Sequence, residues 1–258
     1  MPSTLGIVSS AVIPPSAFDI STVSKHLWYD ASDSSTIIFS SSNIVSQWSD
    51  KSGNARHATQ SSSTNRPRLI TNSDINKPVV FFNGDQQWLQ TNSLVTPSNL
   101  SIYLVHIVRD NSSGTAPISF NGSSGRDSGI IIQSNGGTLQ PFPTNPPYYT
   151  DVFSIIEYIG PNTSTATGLQ LRALWPQSLT SSYPEGINTS ANGSFEYPFF
   201  LGSRNAGPTF MSCEIAEIIV GNTIHNALLR RKIEGYLAWK WNITDCLPNT
   251  HPHKSTPP

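Results

Sequence analysis

An all-β fold closed by a single helix is what this sequence predicts, on three observations. Charged residues make up only 12% of the chain, so the charged runs that face solvent on most helices are scarce. β-Branched and aromatic residues come in short bursts between Ser, Thr, Asn, Gly and Pro, the spacing expected of a two-sheet sandwich rather than a small barrel. Helical periodicity stands out in one place, close to the C-terminus.

Residues 1–24 read as an extended N-terminal arm. Pro2, Pro14 and Pro15 limit regular structure there, and the serine-rich spacing shows neither strand nor helix period. A β-sandwich is expected over 25–225. Its first strand is 25–29, stopped by the turn-forming Asp30-Ala31-Ser32-Asp33. A hairpin follows, with strands 36–40 and 44–48 joined through Ser41-Ser42-Asn43, and Asp50-Lys51-Ser52-Gly53-Asn54 makes a second turn before His57-Ala58-Thr59. Strand signals continue at 68–70, 78–82 and 88–91. In 101–109, Ile102, Leu104, His106 and Val108 share one face and Tyr103, Val105 and Ile107 the other, which predicts a central strand buried on both sides. Further strands are expected at 117–120, 129–133, 151–159, 168–174, 199–202 and 211–220.

A helix over 226–242 closes the domain, with Asn226 as its N-cap. Leu229, Ile233, Leu237 and Trp241 form its core stripe, and Trp239 points away from them. Gly235 is small enough for close approach to the sheet. The tail, 243–258, is too rich in proline for a helix and is expected to lie extended.

Composition also excludes function classes. A net charge of -1 is unlike the basic face of a nucleic-acid binder. No run approaches the roughly 18 apolar residues of a membrane span, so membrane insertion is not expected. The first residues lack the positive start of a signal peptide, so a secretory route is not expected either. Two readings stand for Cys213 and Cys246: two small buried hydrophobes, or one disulfide tying the last strand to the segment after the helix.

Several segments taken in order carry a resemblance: Leu27-Trp28-Tyr29-Asp30-Ala31-Ser32-Asp33, Val45-Ser46-Gln47-Trp48-Ser49-Asp50-Lys51-Ser52-Gly53-Asn54, His57-Ala58-Thr59-Gln60, Lys77-Pro78-Val79-Val80-Phe81-Phe82-Asn83-Gly84, Phe200-Leu201-Gly202 and Glu214-Ile215-Ala216-Glu217-Ile218-Ile219-Val220, then the closing helix and tail. Together they resemble the concanavalin A-like lectin/glucanase superfamily, in the laminin-G-like branch found in virion proteins of tailed bacteriophages and in bacterial surface proteins. The resemblance covers about residues 25–258, with few matching words from 110 to 195. It implies an all-β, two-sheet antiparallel jelly-roll sandwich with one C-terminal helix and extended termini. It also implies a non-enzymatic virion structural protein, a capsid decoration or a tail or fibre component. Such a protein would be assembled in the host cytoplasm, exposed on the particle, homo-oligomeric and docked on other virion proteins. The alternative is an adhesin for host-surface polysaccharide, and a glycan hydrolase ranks third.

Trp28, Trp48, Phe82 and Trp88 are core aromatics. Asp30, Asp33, Asp50 and Asn54 sit in turns, where their side chains accept backbone N–H groups; a calcium site is the alternative. A retaining glycosidase needs two carboxylates about 5 Å apart. In Glu214-Ile215-Ala216-Glu217 a spacing of three sends the two side chains to opposite faces of a regular strand, so the segment reads as structural. There is no nucleophile elbow or phosphate loop, and no cofactor is expected. His57 and His106 read as hydrogen-bonded structural residues, and His251 and His253 as surface residues rather than metal ligands. Glycan-binding candidates are Asp85, Trp88, Tyr148, Tyr149, Trp175 and Tyr183, which place aromatic and polar groups on loops. Subunit-docking candidates are Ile7, Val8, Val12, Ile13 and Phe18 in the arm, with His251 and His253 in the tail.

Overall fold

The computed structural model describes residues 17–92, 99–110, 112, 114–120, 131–135, 138–140, 148–161, 169–179, 185–188, 198–204 and 209–258. Sixteen strands lie among them: β1 (Lys25–Asp30), β2 (Ile37–Ser41), β3 (Ile44–Trp48), β4 (Ala58–Thr59), β5 (Arg68–Asn72), β6 (Lys77–Asn83), β7 (Leu89–Thr91), β8 (Asn99–Val108), β9 (Ile118–Phe120), β10 (Ile131–Asn135), β11 (Thr138–Gln140), β12 (Phe153–Pro161), β13 (Leu169–Leu174), β14 (Glu185–Asn188), β15 (Phe199–Leu201) and β16 (Ser212–Gly221). One helix, α1 (Ala227–Lys240), follows β16. The sequence pattern does not signal β11 and β14, which carry no run of β-branched or aromatic residues.

The strands form a curled antiparallel sheet in the order β11-β10-β9-β15-β7-β4-β3-β5-β6-β16-β8-β12-β13-β14, with β1 also on β16 and β2 on β3. Where the sequence predicts two sheets, the hydrogen-bonded path is continuous. The β5–β6 hairpin joins its two halves, pairing Leu69 with Val80 and Thr71 with Pro78. Asn72 closes that hairpin by accepting from the backbone N–H groups of Asp74 (2.8 Å) and Ile75 (3.3 Å).

β8 and β16 sit at the centre, and residues from Leu100 to Val108 are buried on both sides, as their double-faced pattern requires. Paired residues point the same way, so the register separates two faces. On the inner face lie Leu27, Tyr29, Phe82, Ile102, Leu104, His106, Ile215, Ile218 and Val220. On the outer face lie Trp28, Asp30, Tyr103, Val105, Ile107, Glu157 and Arg172. Helix α1 covers this outer face. Trp48 is fully buried and stacks on Tyr29, centroids 5.3 Å apart.

Turn chemistry follows the sequence reading closely. Asp50 accepts from the N–H groups of Trp28 (2.9 Å), Ser52 (2.9 Å) and Arg56 (3.1 Å), so one side chain fastens β1 to the following turn. Asp30 accepts from Ser32 N–H at 3.0 Å, and Asp33 from Ser35 N–H at 3.2 Å. Gly202 has φ +75°, and any Cβ there would run into the Phe82 ring, so the Phe200-Leu201-Gly202 word serves a close approach to a core aromatic.

Both termini differ from the sequence reading. The arm does not extend to residue 24. Ile20 is core, and a 3-10 turn, Ile20–Thr22, is capped by Asp19. The Lys25 ammonium group binds the carbonyl oxygens of Ile20 (2.6 Å) and Val23 (2.6 Å), pinning that turn to β1. The tail is not extended. It folds back in turns after a 3-10 helix, Thr244–Cys246, and Lys254 donates to the carbonyls of Thr244 (2.8 Å) and Leu247 (2.9 Å). Phe18 N–H donates to Pro258 C=O at 3.1 Å, which brings the chain's last residue beside its eighteenth. Gly235 admits this tail rather than the sheet, because a Cβ there would lie 2.6 Å from His253 Cβ. Cys213 and Cys246 are buried free thiols, as the first of the two readings has it.

Candidate functional site

The outer face of the central strands holds the densest group of ionisable side chains, and a β-bulge determines how they are presented. Between Ile215 and Glu217 the β16–β8 register shifts, so Glu214 pairs with Ile107 and Glu217 with Val105. Ile107 and Val105 share a face, so Glu214 and Glu217 do too. This overturns the expectation of opposite faces: the bulged Ala216 adds one residue and restores the phase. Its freed carbonyl accepts from Ala31 N–H at 3.0 Å.

Neither carboxylate is open. Glu217 is completely buried, and its two oxygens accept from Trp28 Nε1 (2.8 Å), Trp241 Nε1 (2.7 Å), the Tyr236 hydroxyl (3.2 Å) and Lys240 Nζ (2.7 Å). Burial raises its carboxyl above the ordinary range, the Asp30 charge adds to this, and Lys240 opposes it. Asp30 lies next to it on β1, 2.9 Å from Lys240 and 2.8 Å from Lys51. Burial pushes the Asp30 carboxyl upward, but Lys240, Lys51 and Ser32 together hold it below its usual value. Glu214 accepts from Asn72 Nδ2 (2.7 Å) and Arg109 Nε (2.8 Å).

Farther along the same face, Glu157 and Arg172 are cross-strand neighbours on β12 and β13. Glu157 binds Arg230 of the helix, Nε to Oε1 at 3.0 Å. Burial drives its carboxyl up to about 7, with Arg230 pulling it down and Glu234 adding to the rise. Arg172 reaches Glu234 of the helix at 2.7 Å, and Glu234 also binds Arg231 (3.0 Å) and His251 of the tail (2.9 Å). Helix, tail and sheet are therefore joined by charge as well as by Ile233, Leu237 and Trp241, which are fully buried. Sequence patterning missed this layer. Its one signal is a single charge inside an apolar strand run, as in Ser154-Ile155-Ile156-Glu157-Tyr158-Ile159.

The candidates named from the sequence disperse. Asp85 is exposed and Trp88 half-buried against Phe200, centroids 5.8 Å apart, on the loop that leads into β7. Tyr148 is 2% exposed, its hydroxyl 2.6 Å from His106 Nε2, and Trp175 is 1% exposed, so both rings are interior and neither can present a platform to a sugar. Tyr149 is half-buried edge-on to Trp175. Tyr183 lies outside the described residues, as do Ile7, Val8, Val12 and Ile13. His251 is a buried partner of Glu234 rather than a surface group, because Gly235 lets the tail sit directly on the helix. His253 is partly buried and its carbonyl accepts from Trp239 Nε1 at 2.8 Å. Phe18 is half-buried edge-on to Tyr236, with Lys232 Nζ 6.0 Å from its ring. Among the described residues no three His, Cys, Asp or Glu side chains are grouped to hold a metal.

The open concavities lie elsewhere. A groove of ≈ 510 Å³ runs between the N-terminal turn and the start of α1, with an apolar part made by Phe18, Val23, Leu228 and Leu229 and a polar part that includes Thr22, Asn226 and Lys232. Across Thr22–Ser24 a polar cleft of ≈ 480 Å³ includes Lys25, Trp28, Lys51 and Asn54. The Lys51 ammonium lies 4.4 Å from the Trp28 ring centroid and the Lys25 ammonium 4.9 Å.

No family model matches this sequence, and no curated protein does. The fold does have counterparts among solved structures. Domain 4 of AbnA, a GH43 extracellular arabinanase from Geobacillus stearothermophilus solved with arabinotriose, superposes with a TM-score of 0.53 at 14% identity, covering 78% of this chain and 94% of that one. An arabinofuranosidase complexed with arabinofuranosyl-alpha-1,2-xylobiose gives 0.50 at 12% identity, covering 72% of this chain. This chain spans about half of that enzyme's length, 49%. At such identities the likeness is one of fold.

Proposed function

We propose that this chain is a non-enzymatic structural subunit of a bacteriophage particle, a concanavalin A-like jelly-roll sandwich that docks on neighbouring virion subunits. The observation that carries this reading is the exposed apolar rim at the entry of the N-terminal segment. Leu228 is 70% exposed and Ile224 51%, beside half-buried Phe18, Val23 and Leu229. Large apolar side chains grouped at a surface favour a protein partner. The virion setting comes from the sequence words over residues 25–258. The sandwich reading divides the sheet path at β5–β6, so that the inner aromatic and aliphatic residues of the two halves face one another.

The carboxylates support the absence of catalysis. Glu217 would have to reach a substrate from beneath two indoles and an ammonium group, and Glu214, Glu157 and Glu234 are each taken by an arginine. Particles assembled with a chain lacking residues 1–16 test the role: the shortened chain folds but is missing from particles. Normal incorporation would sink the proposal. A second reading, a glycan-binding surface around Asp85 and Trp88, draws on their shared exposed loop and on the fold held in common with an arabinanase domain solved with arabinotriose. A glycan array with the full chain and with Trp88→Ala tests it; the absence of saturable binding removes it.

A further inference from the structure

We infer that the groove beside α1, through its apolar part, receives the N-terminal segment of a second copy of this chain, so that copies associate by exchanging arms. The inference rests on the docking reading and adds the partner and the place. Three observations lead to it. First, the groove is a built concavity rather than a loose patch. Phe18 is held against Tyr236 and by its N–H on Pro258, and His225 is fixed by the Tyr103 hydroxyl at 3.0 Å and by Ser101 Oγ, which accepts from its N–H at 2.9 Å. Leu228 stands on the first turn of α1, off the Leu229–Ile233–Leu237 stripe, where neither helix packing nor capping requires an apolar residue. Second, residues 2–17 carry no charge and include Leu5, Ile7, Val8, Ala11, Val12 and Ile13. They suit the apolar part of that groove, Phe18, Val23, Leu228 and Leu229, where Lys232 is the one charged lining group among the described residues.

Third, the segment joins the fold at the groove itself, since Phe18 lines it. Pro14 and Pro15 lie between the apolar stretch and Phe18. Each fixes φ at about −65° and disfavours the α region for the residue before it. Two successive prolines therefore stiffen the link between the apolar stretch and Phe18 against folding straight back. A stretch as long as residues 5–13 reaches at most roughly 30 Å. That is enough to cross to a neighbouring molecule. The occupant named by these facts is the arm of another copy.

The test uses full-length chains and sedimentation velocity over a concentration series. The wild type self-associates. Leu228→Asp, at a position open to solvent and harmless to folding by circular dichroism, raises the self-association Kd by about tenfold or more, the worth of one buried leucine. The double variant Ile7→Asp/Val8→Asp does the same from the other side of the contact. Mixing the two variants restores association, because one intact arm then meets one intact groove. A wild type that stays monomeric throughout overturns the inference, as does a Leu228→Asp chain that associates normally, or a mixture that fails to complement. These solution results are independent of particle incorporation. A chain that exchanges arms but is absent from particles would defeat the virion role and leave the groove assignment standing.

Discussion

The two faces of the central strands are buried by different means. On the inner side β8 and β16 offer Ile102, Leu104, Ile215, Ile218 and Val220, with His106 and the Cys213 thiol as the ionisable members of those two strands there. On the outer side the same strands and their neighbours place Glu157, Arg172, Glu214, Glu217 and Asp30 under a helix that brings Arg230, Glu234 and Lys240 to meet them. Apolar packing is tolerant, since any well-filled arrangement of similar volume is nearly as good. A buried charge tolerates one partner in one place, because its desolvation is offset only when the geometry is met. The inner face therefore admits other packings of similar volume, and the outer face determines where helix and tail must sit.

The largest test of this contrast is Glu217→Ala. Removing this acceptor leaves two buried indole N–H groups without their partner and takes from Lys240 one of its two carboxylates, and the expected cost is about 3–5 kcal/mol by urea titration. Leu104→Ala on the inner face is expected to cost about 2–5 kcal/mol. Hydrogen exchange separates the two variants. Glu217→Ala frees amides of α1 and the tail before those of the sheet, whereas Leu104→Ala lowers protection everywhere together. Identical exchange patterns would erase the distinction.

Protonation should move the two faces in opposite directions. Burial holds His106 down to about 3 from 6.5, so the unfolded chain takes up its proton first and stability is lost as pH falls from 6.5. Glu157 stands at about 7 against an ordinary 4.5, so the folded chain holds the extra proton and stability falls as pH rises from 4.5 towards 7. His106→Gln should remove the first slope and Glu157→Gln the second, read from denaturation midpoints between pH 4 and 8. The smallest effect is at the helix start. Asn226 Oδ1 accepts from Leu229 N–H at 3.0 Å, and Asn226→Ala should cost about 1 kcal/mol.

Much of the fold was legible because its signals are local. Alternation placed β8, β12 and β16, Asx chemistry placed the turns at Asp30, Asp33 and Asp50, and an N-cap with a stripe placed α1 to within two residues at either end. The candidate site was far less legible. A spacing of three between Glu214 and Glu217 implies opposite faces in a regular strand, and nothing in the residues announces the bulge at Ala216 that reverses it. Tyr148 and Trp175 sit among loop-forming residues yet are interior, and His251 lies in a proline-rich tail yet is buried on Glu234.

By itself the sequence determined an all-β chain with one terminal helix, its strand positions, its turn-setting aspartates and the helical stripe that becomes core. Each of these depends on neighbours a few residues apart, where period and backbone chemistry act. Tertiary structure alone decided which carboxylates are taken up in ion pairs, where the tail lies, and that a groove opens beside Phe18 and the start of α1. Those outcomes depend on groups as far apart as Trp28 and Glu217, or Glu157 and Arg230, being brought together once the sheet has curled and the helix has closed on it.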